Sequence, residues 1–133
     1  DSYSAYGRDL SPALQWRGAP AGTRSLALII EDPDAPMSTP FPHWLVWNIA
    51  PSARGVAQGV APAGAQQGKL LVGKVGYMGP RPPPGPAHHY HFEVFALDQK
   101  LDLKSGADRS ALIAAMKGHV LASGELVALY HKA

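Results

Sequence analysis

The sequence contains no cysteine among its 133 residues. That absence excludes a disulfide scaffold, a cysteine-ligated zinc site and a thiol nucleophile, and it leaves the redox compartment open. Charge is sparse as well: Asp, Glu, Lys and Arg make up 17% of the chain, and the formal net charge is +2. Such a small, scattered excess gives no reason to expect nucleic acid or an anionic membrane as partner. No apolar run in the sequence approaches the roughly 20 residues of a bilayer-spanning helix, so no membrane insertion is expected. The opening residues Asp1-Ser2-Tyr3 carry no compartment signal, and localisation stays open between cytoplasm and export.

What is abundant is glycine and proline, 14 and 13 residues, about a fifth of the chain against a usual share of roughly 12%. An apolar content of 46% nevertheless excludes a disordered chain. The length suits one domain spanning 1–133, with no internal repeat and no dividing linker. Three of the six histidines, His88, His89 and His91, fall within four positions. Five prolines in the seven residues 80–86 precede them.

Residues 25–31, SLALIIE, form an apolar, branched run that predicts a strand buried on both faces. It stops at Asp32-Pro33-Asp34-Ala35-Pro36, where proline removes ladder donors. A second strand is expected over 43–49, HWLVWNI. Residues 52–87 read as long loops with a short strand near 69–73. Residues 88–97, HHYHFEVFAL, alternate so that Tyr90, Phe92, Val94 and Ala96 share one side of a central strand. One helix is expected over 108–121, with Leu112, Ile113, Met116 and Val120 at helical spacing and Asp108 as its cap. A closing strand follows over 125–131. The fold class is therefore mostly β with one helix near the C-terminal end.

Two regions carry candidate chemistry. Asp32 ends one strand and His43 opens the next; if those strands pair, carboxylate and imidazole approach one another. A carboxylate beside an imidazole favours the imidazolium, which holds anions. In residues 76–92, GYMGPRPPPGPAHHYHF, glycines permit close backbone approach and prolines stiffen the loop. His88 and Tyr90 lie two apart on one strand and so share a face. Loop N–H groups, an imidazole and a phenol together suit phosphate or a similar oxyanion. Each region also has a plainer reading: Asp-Pro punctuates turns, and proline-rich stretches serve as linkers or polyproline ligands. Asp32, His43 and His88 also form a legitimate two-histidine, one-carboxylate metal set, but helical ligand spacings and an evident supporting shell are lacking. No GxSxG elbow supports a serine hydrolase, and Trp16, Trp44 and Trp47 read as core or pocket wall.

The DPDAP…HWLVWNI and GYMGPRPPPG…HHYHFEVFAL regions, flanked by SPALQW at 11–16 and AMKGHVLASGEL at 115–126, resemble the phosphatidylethanolamine-binding protein family, also called Raf kinase inhibitor-like, in its bacterial and archaeal branch. The resemblance implies a large central antiparallel sheet packed on a smaller one, with a further strand ahead of SPALQW that this sequence is expected to lack. It also implies a pocket for phosphate-type anions, including phospholipid head groups and phosphorylated side chains or small molecules. By that resemblance the pocket comprises Asp32, Pro36, His43, Gly79, Pro80, His88 and Tyr90, with Phe41 as an aromatic wall. No cofactor and no metal are expected. Lys69 to Val72 replace an Asn-Asp-Phe stretch of bacterial relatives, and Arg81 stands where they commonly carry Cys. The expectation is a non-catalytic binding protein. Its alternatives are a kinase or protease inhibitor acting through its surface, and a hydrolase of phosphorylated or acyl substrates. A homodimer is a form that bacterial members often take.

Overall fold

The structure is a computed structural model that describes residues 14–16, 19–32, 41–56, 61–71, 73–78 and 88–130, without the side chains at 41, 88–90 and 125–130. In chain order its elements are β1 (Leu14–Gln15), β2 (Ser25–Asp32), β3 (Phe41–Ile49), β4 (Gly55–Val56), β5 (Gln66–Gln67), β6 (His88–Leu97), α1 (Arg109–Met116) and β7 (Val120–Tyr130). Two antiparallel sheets result: a pair, β1-β4, and a five-stranded sheet ordered β5-β3-β2-β6-β7.

The apolar run at 25–31 becomes β2, the middle strand, flanked by β3 and β6. Its residues alternate between two cores. Ala27 and Ile29 join Leu45, Trp47 and Leu97 beneath Leu112 and Met116 of α1. Leu26, Leu28 and Ile30 join Trp44, Val46 and Ala96 on the opposite face, which Leu14 and Val56 of the small sheet cover. Each fully buried aliphatic side chain is worth about 1.5–3 kcal/mol, so β2, apolar on both faces, anchors the molecule. β6 is interior but lies beside the centre; its alternation is borne out by Phe92, Val94 and Ala96 on one face and Phe95 and Leu97 on the other.

The helix is shorter than its apolar spacing predicts. Asp108 caps it, its carboxylate accepting the Ala111 N–H at 2.9 Å. The last turn closes at Lys117, and Gly118 then takes φ +83°, a left-handed step that ends helices and suits glycine. Val120 opens β7 and pairs with Leu97, so its helical spacing from Met116 is a coincidence of sequence. Among the described residues of the 69–73 segment no strand forms: an isolated bridge joins Lys69 to Val75.

β3 is bulged twice. Leu26 faces Ile49 and Leu28 faces Val46, so β3 spends one extra residue in the interval that holds Trp47 and Asn48. Asn48 has φ +57°. Its amide donates to Gln66 Oε1 at 2.8 Å and Leu101 O at 2.9 Å, and its Oδ1 accepts the Leu101 N–H at 2.7 Å. Trp47 Nε1 donates to Leu103 O, and Ser25 Oγ to Gln99 O. These bonds hold the 98–107 connection against the sheet and satisfy carbonyls that would otherwise be buried unpaired.

Candidate functional site

The second bulge builds the candidate site. Ile30 pairs with Trp44, but Glu31 pairs with Pro42, so His43 is the extra residue on β3. A bulge bends its strand and re-aims a side chain. Pro42 enforces the irregularity because it brings no N–H to the ladder. Asp32, the last residue of β2, pairs with Phe41.

Three polar residues are buried among the described ones: Ser25, Asp32 and His43. Ser25 is accounted for at the far end of β2 by its bond to Gln99 O. Asp32 and His43, 4% and 3% exposed, lie together at the other end. Desolvating an ionisable group is costly unless it is partnered, and no buried side-chain nitrogen or oxygen among the described residues lacks a hydrogen-bond partner.

His43 is held by Met78 from two directions. The Met78 N–H donates to His43 O at 2.9 Å, and His43 Nδ1–H donates to Met78 O at 2.7 Å. A carbonyl only accepts, so the proton on Nδ1 is fixed. Nε2 is then the ring nitrogen that accepts in the neutral form and donates in the imidazolium. Met78 is itself seated by its buried side chain and by Tyr77, whose ring meets Trp44 edge-on at 5.9 Å. The chain runs directly from Met78 into Gly79 and Pro80.

The start of β6 arrives at the same end of the sheet. Its register with β2 runs to Glu31↔His91, so the Tyr90 and His88 backbones lie one and three residues beyond, paired with Ala128 and Tyr130 of β7. The structure thus brings Asp32 and His43 together on paired strands, with the backbones of Phe41, His88 and Tyr90 at that end. The side chains of those three, and all of Pro36, Gly79, Pro80 and Arg81, lie outside the described residues. Among the described residues no group of three or more His, Asp or Glu side chains is arranged to hold a metal ion, and no helix is long and apolar enough to cross a membrane.

Two features escaped the sequence reading. Met78 is the tether of His43, and its only sequence signal was its place next to Gly79. Glu31 and Arg109 form an ion pair, with Nε donating to Oε1 at 2.7 Å and Nη2 to Oε2 at 3.4 Å. No sequence pattern links residues so far apart. A separate cavity of about 320 Å³ lies between β1 and the large sheet, lined by Trp16, Leu28, Phe92, Val94 and others. None of its described lining residues is titratable.

Comparison with known proteins agrees with this architecture. The sequence model of the family described as Phosphatidylethanolamine-binding protein matches residues 2–131. The UPF0098 protein PH1269 of Pyrococcus horikoshii is 45% identical, over 98% of this chain and 69% of its own length. A UPF0098 protein of Methanothermobacter thermautotrophicus is 43% identical, over 98% and 88%. Among solved structures, the phosphatidylethanolamine-binding protein homologue CT736 of Chlamydia trachomatis superposes with a TM-score of 0.91 at 38% identity, covering 99% of this chain and 88% of that one. YbcL of Escherichia coli, described as a member of the mammalian family, gives 0.89 at 32% identity, covering 96% and 83%. None of these descriptions names an enzymatic activity. The two antiparallel sheets and single helix of the described residues, together with this near-complete match, lead to one assignment: the chain belongs to the bacterial and archaeal branch of the phosphatidylethanolamine-binding protein family.

Proposed function

We propose that the protein is a non-catalytic binding module whose pocket, at the Asp32 end of the large sheet, takes a phosphate-type anion. The group belongs to a phosphorylated small molecule, a phospholipid head group or a phosphorylated side chain. The observation that carries the reading is the buried Asp32–His43 pair on adjoining strands, with the His43 ring locked by Met78. An imidazole whose Nδ1 proton is fixed offers Nε2–H to an anion only as the imidazolium, and a neighbouring carboxylate favours that form. Asp32 alone would repel an anion. Its role is to charge and orient His43, or to receive a ligand ammonium such as that of ethanolamine.

The remaining contacts are assigned to His88, Tyr90 and the backbone of Gly79 and Pro80, with Pro36 and Phe41 shaping the wall. Calorimetry with inorganic phosphate and with phosphoethanolamine, on wild type and His88→Ala, tests the assignment. The expected result is binding by wild type and a marked loss in the variant. Tighter binding of phosphoethanolamine than of phosphate would assign Asp32 to the ammonium. Equal, pH-independent binding by both proteins would overturn the pocket.

A further inference from the structure

On the α1 side of the large sheet, a charged clamp sits behind the candidate pocket. Arg109 is the first residue of α1, and Glu31 directly precedes Asp32 on β2. The guanidinium meets both carboxylate oxygens, at 2.7 and 3.4 Å, and the two side chains are only 26% and 16% exposed. Fully exposed ion pairs contribute little because water screens them and long side chains lose freedom. A two-pronged arginine contact with most of its surface withdrawn from water is geometrically specific.

The place of this contact gives it meaning. Glu31 pairs with Pro42 on one side and His91 on the other. Pro42 has no N–H to donate, and the extra residue His43 follows immediately, so the β2–β3 ladder lacks a donor and is interrupted beside the candidate pocket. β2 itself ends one residue later. At this poorly laddered end, the backbone that presents Asp32 and faces His43 is braced by a side chain from a helix. The helix makes a firm post: Asp108 caps it, and Leu112 and Met116 are embedded in the core beneath the sheet.

We propose that the Glu31–Arg109 ion pair is a positioning element that holds Asp32 and His43 in register for anion binding, linking α1 to the affinity of the pocket. The inference rests on the anion-pocket reading above. Neither residue touches the ligand; each acts through the backbone of β2 and across it to Pro42 and His43.

The test pairs calorimetry, with inorganic phosphate as probe, with long-range 1H–15N spectra of the histidine rings, His43 being assigned from its loss in His43→Asn. In Arg109→Gln and in Glu31→Gln, phosphate affinity falls about three- to tenfold and the His43 ring resonances move. The double variant binds no more weakly than either single one, because the two residues act as one unit. Arg109→Lys, which keeps the charge but not the fork, recovers part of the affinity. Phosphate affinity within about twofold of wild type, with unmoved His43 resonances in both single variants, overturns the proposal and leaves the pair a stability contact. Should Arg109→Gln not fold, Glu31→Gln, which keeps size and an acceptor oxygen, decides alone. If wild type itself fails to bind phosphate, the pocket reading falls. The His43 resonances then judge the clamp independently: movement in the variants sustains it, and stillness ends it.

Discussion

The two bulges of β3 make an instructive pair, because each inserts one polar residue but employs it differently. At the Asn48 end the side chain is wholly occupied by protein: both amide hydrogens donate, and the carbonyl oxygen accepts a backbone N–H. At the His43 end Nδ1 is committed to Met78 O, and the imidazole is a group that can gain or lose a charge. Asn48 cannot change its charge; His43 can. On the proposed reading the first bulge serves architecture and spends its polar groups on fixed partners, while the second presents a titratable ring to a ligand. The same device thus stitches a loop at one end of the strand and, on the proposed reading, presents a binding group at the other.

That contrast is open to attack from both ends. The largest effect is expected at the architectural bulge. Asn48→Ala removes three hydrogen bonds and places a Cβ-bearing residue without Asn's local bonding at φ +57°, costing about 3 kcal/mol in chemical denaturation. Asn48→Gly regains about 1 kcal/mol of that by relieving the backbone, and phosphate affinity stays at the wild-type value in both. Lost affinity in a folded Asn48 variant would erase the division of labour.

At the other bulge the pattern inverts. His43→Asn keeps an amide donor for Met78 O, so stability changes by no more than about 1 kcal/mol, while phosphate affinity drops about tenfold or more. Unfolding of the variant, or unchanged binding, would make His43 structural like its counterpart.

A smaller effect isolates Asp32. Asp32→Asn keeps the shape and removes the charge, and inorganic phosphate is expected to bind about threefold more weakly because the imidazolium loses its supporting carboxylate. Tighter binding would show that repulsion between carboxylate and anion dominates, and would leave only the ammonium-receiving role. The finest measure is the pH dependence of sulfate, whose own charge is constant near neutrality. A binding imidazolium loses its proton, and with it the charge that holds an anion, as pH rises. Wild-type sulfate affinity therefore falls with rising pH, by at most about tenfold per pH unit for one proton, and the slope is absent in His43→Asn.

How much of this was legible beforehand follows from the range of the interactions involved. β2, β3 and β6 were readable because apolar runs and alternation are local signatures of burial. β1, β4 and β5, two residues each, exist only through their partners and leave no such signature. The end of α1 was misplaced because Val120 continues a helical spacing that Gly118 had already broken. For the candidate site, the approach of Asp32 and His43 followed from expecting their strands to pair, which they do. The bulge that isolates His43, its Met78 tether and the Glu31–Arg109 pair depend on contacts between distant segments, and nothing in local pattern encodes them.

The central seat of β2 has a kinetic corollary. With strands along both edges and a packed core on each face, the amides from Ala27 to Ile30 have no local opening by which to exchange their hydrogens, and so exchange only when the entire molecule unfolds. A ligand bound only by the folded form slows that exchange by a factor of one plus the ratio of its free concentration to its Kd. These four amides are therefore a built-in gauge: deuterium uptake at the middle of β2 reads out binding at its end, for any candidate compound, with no label and no assayable turnover.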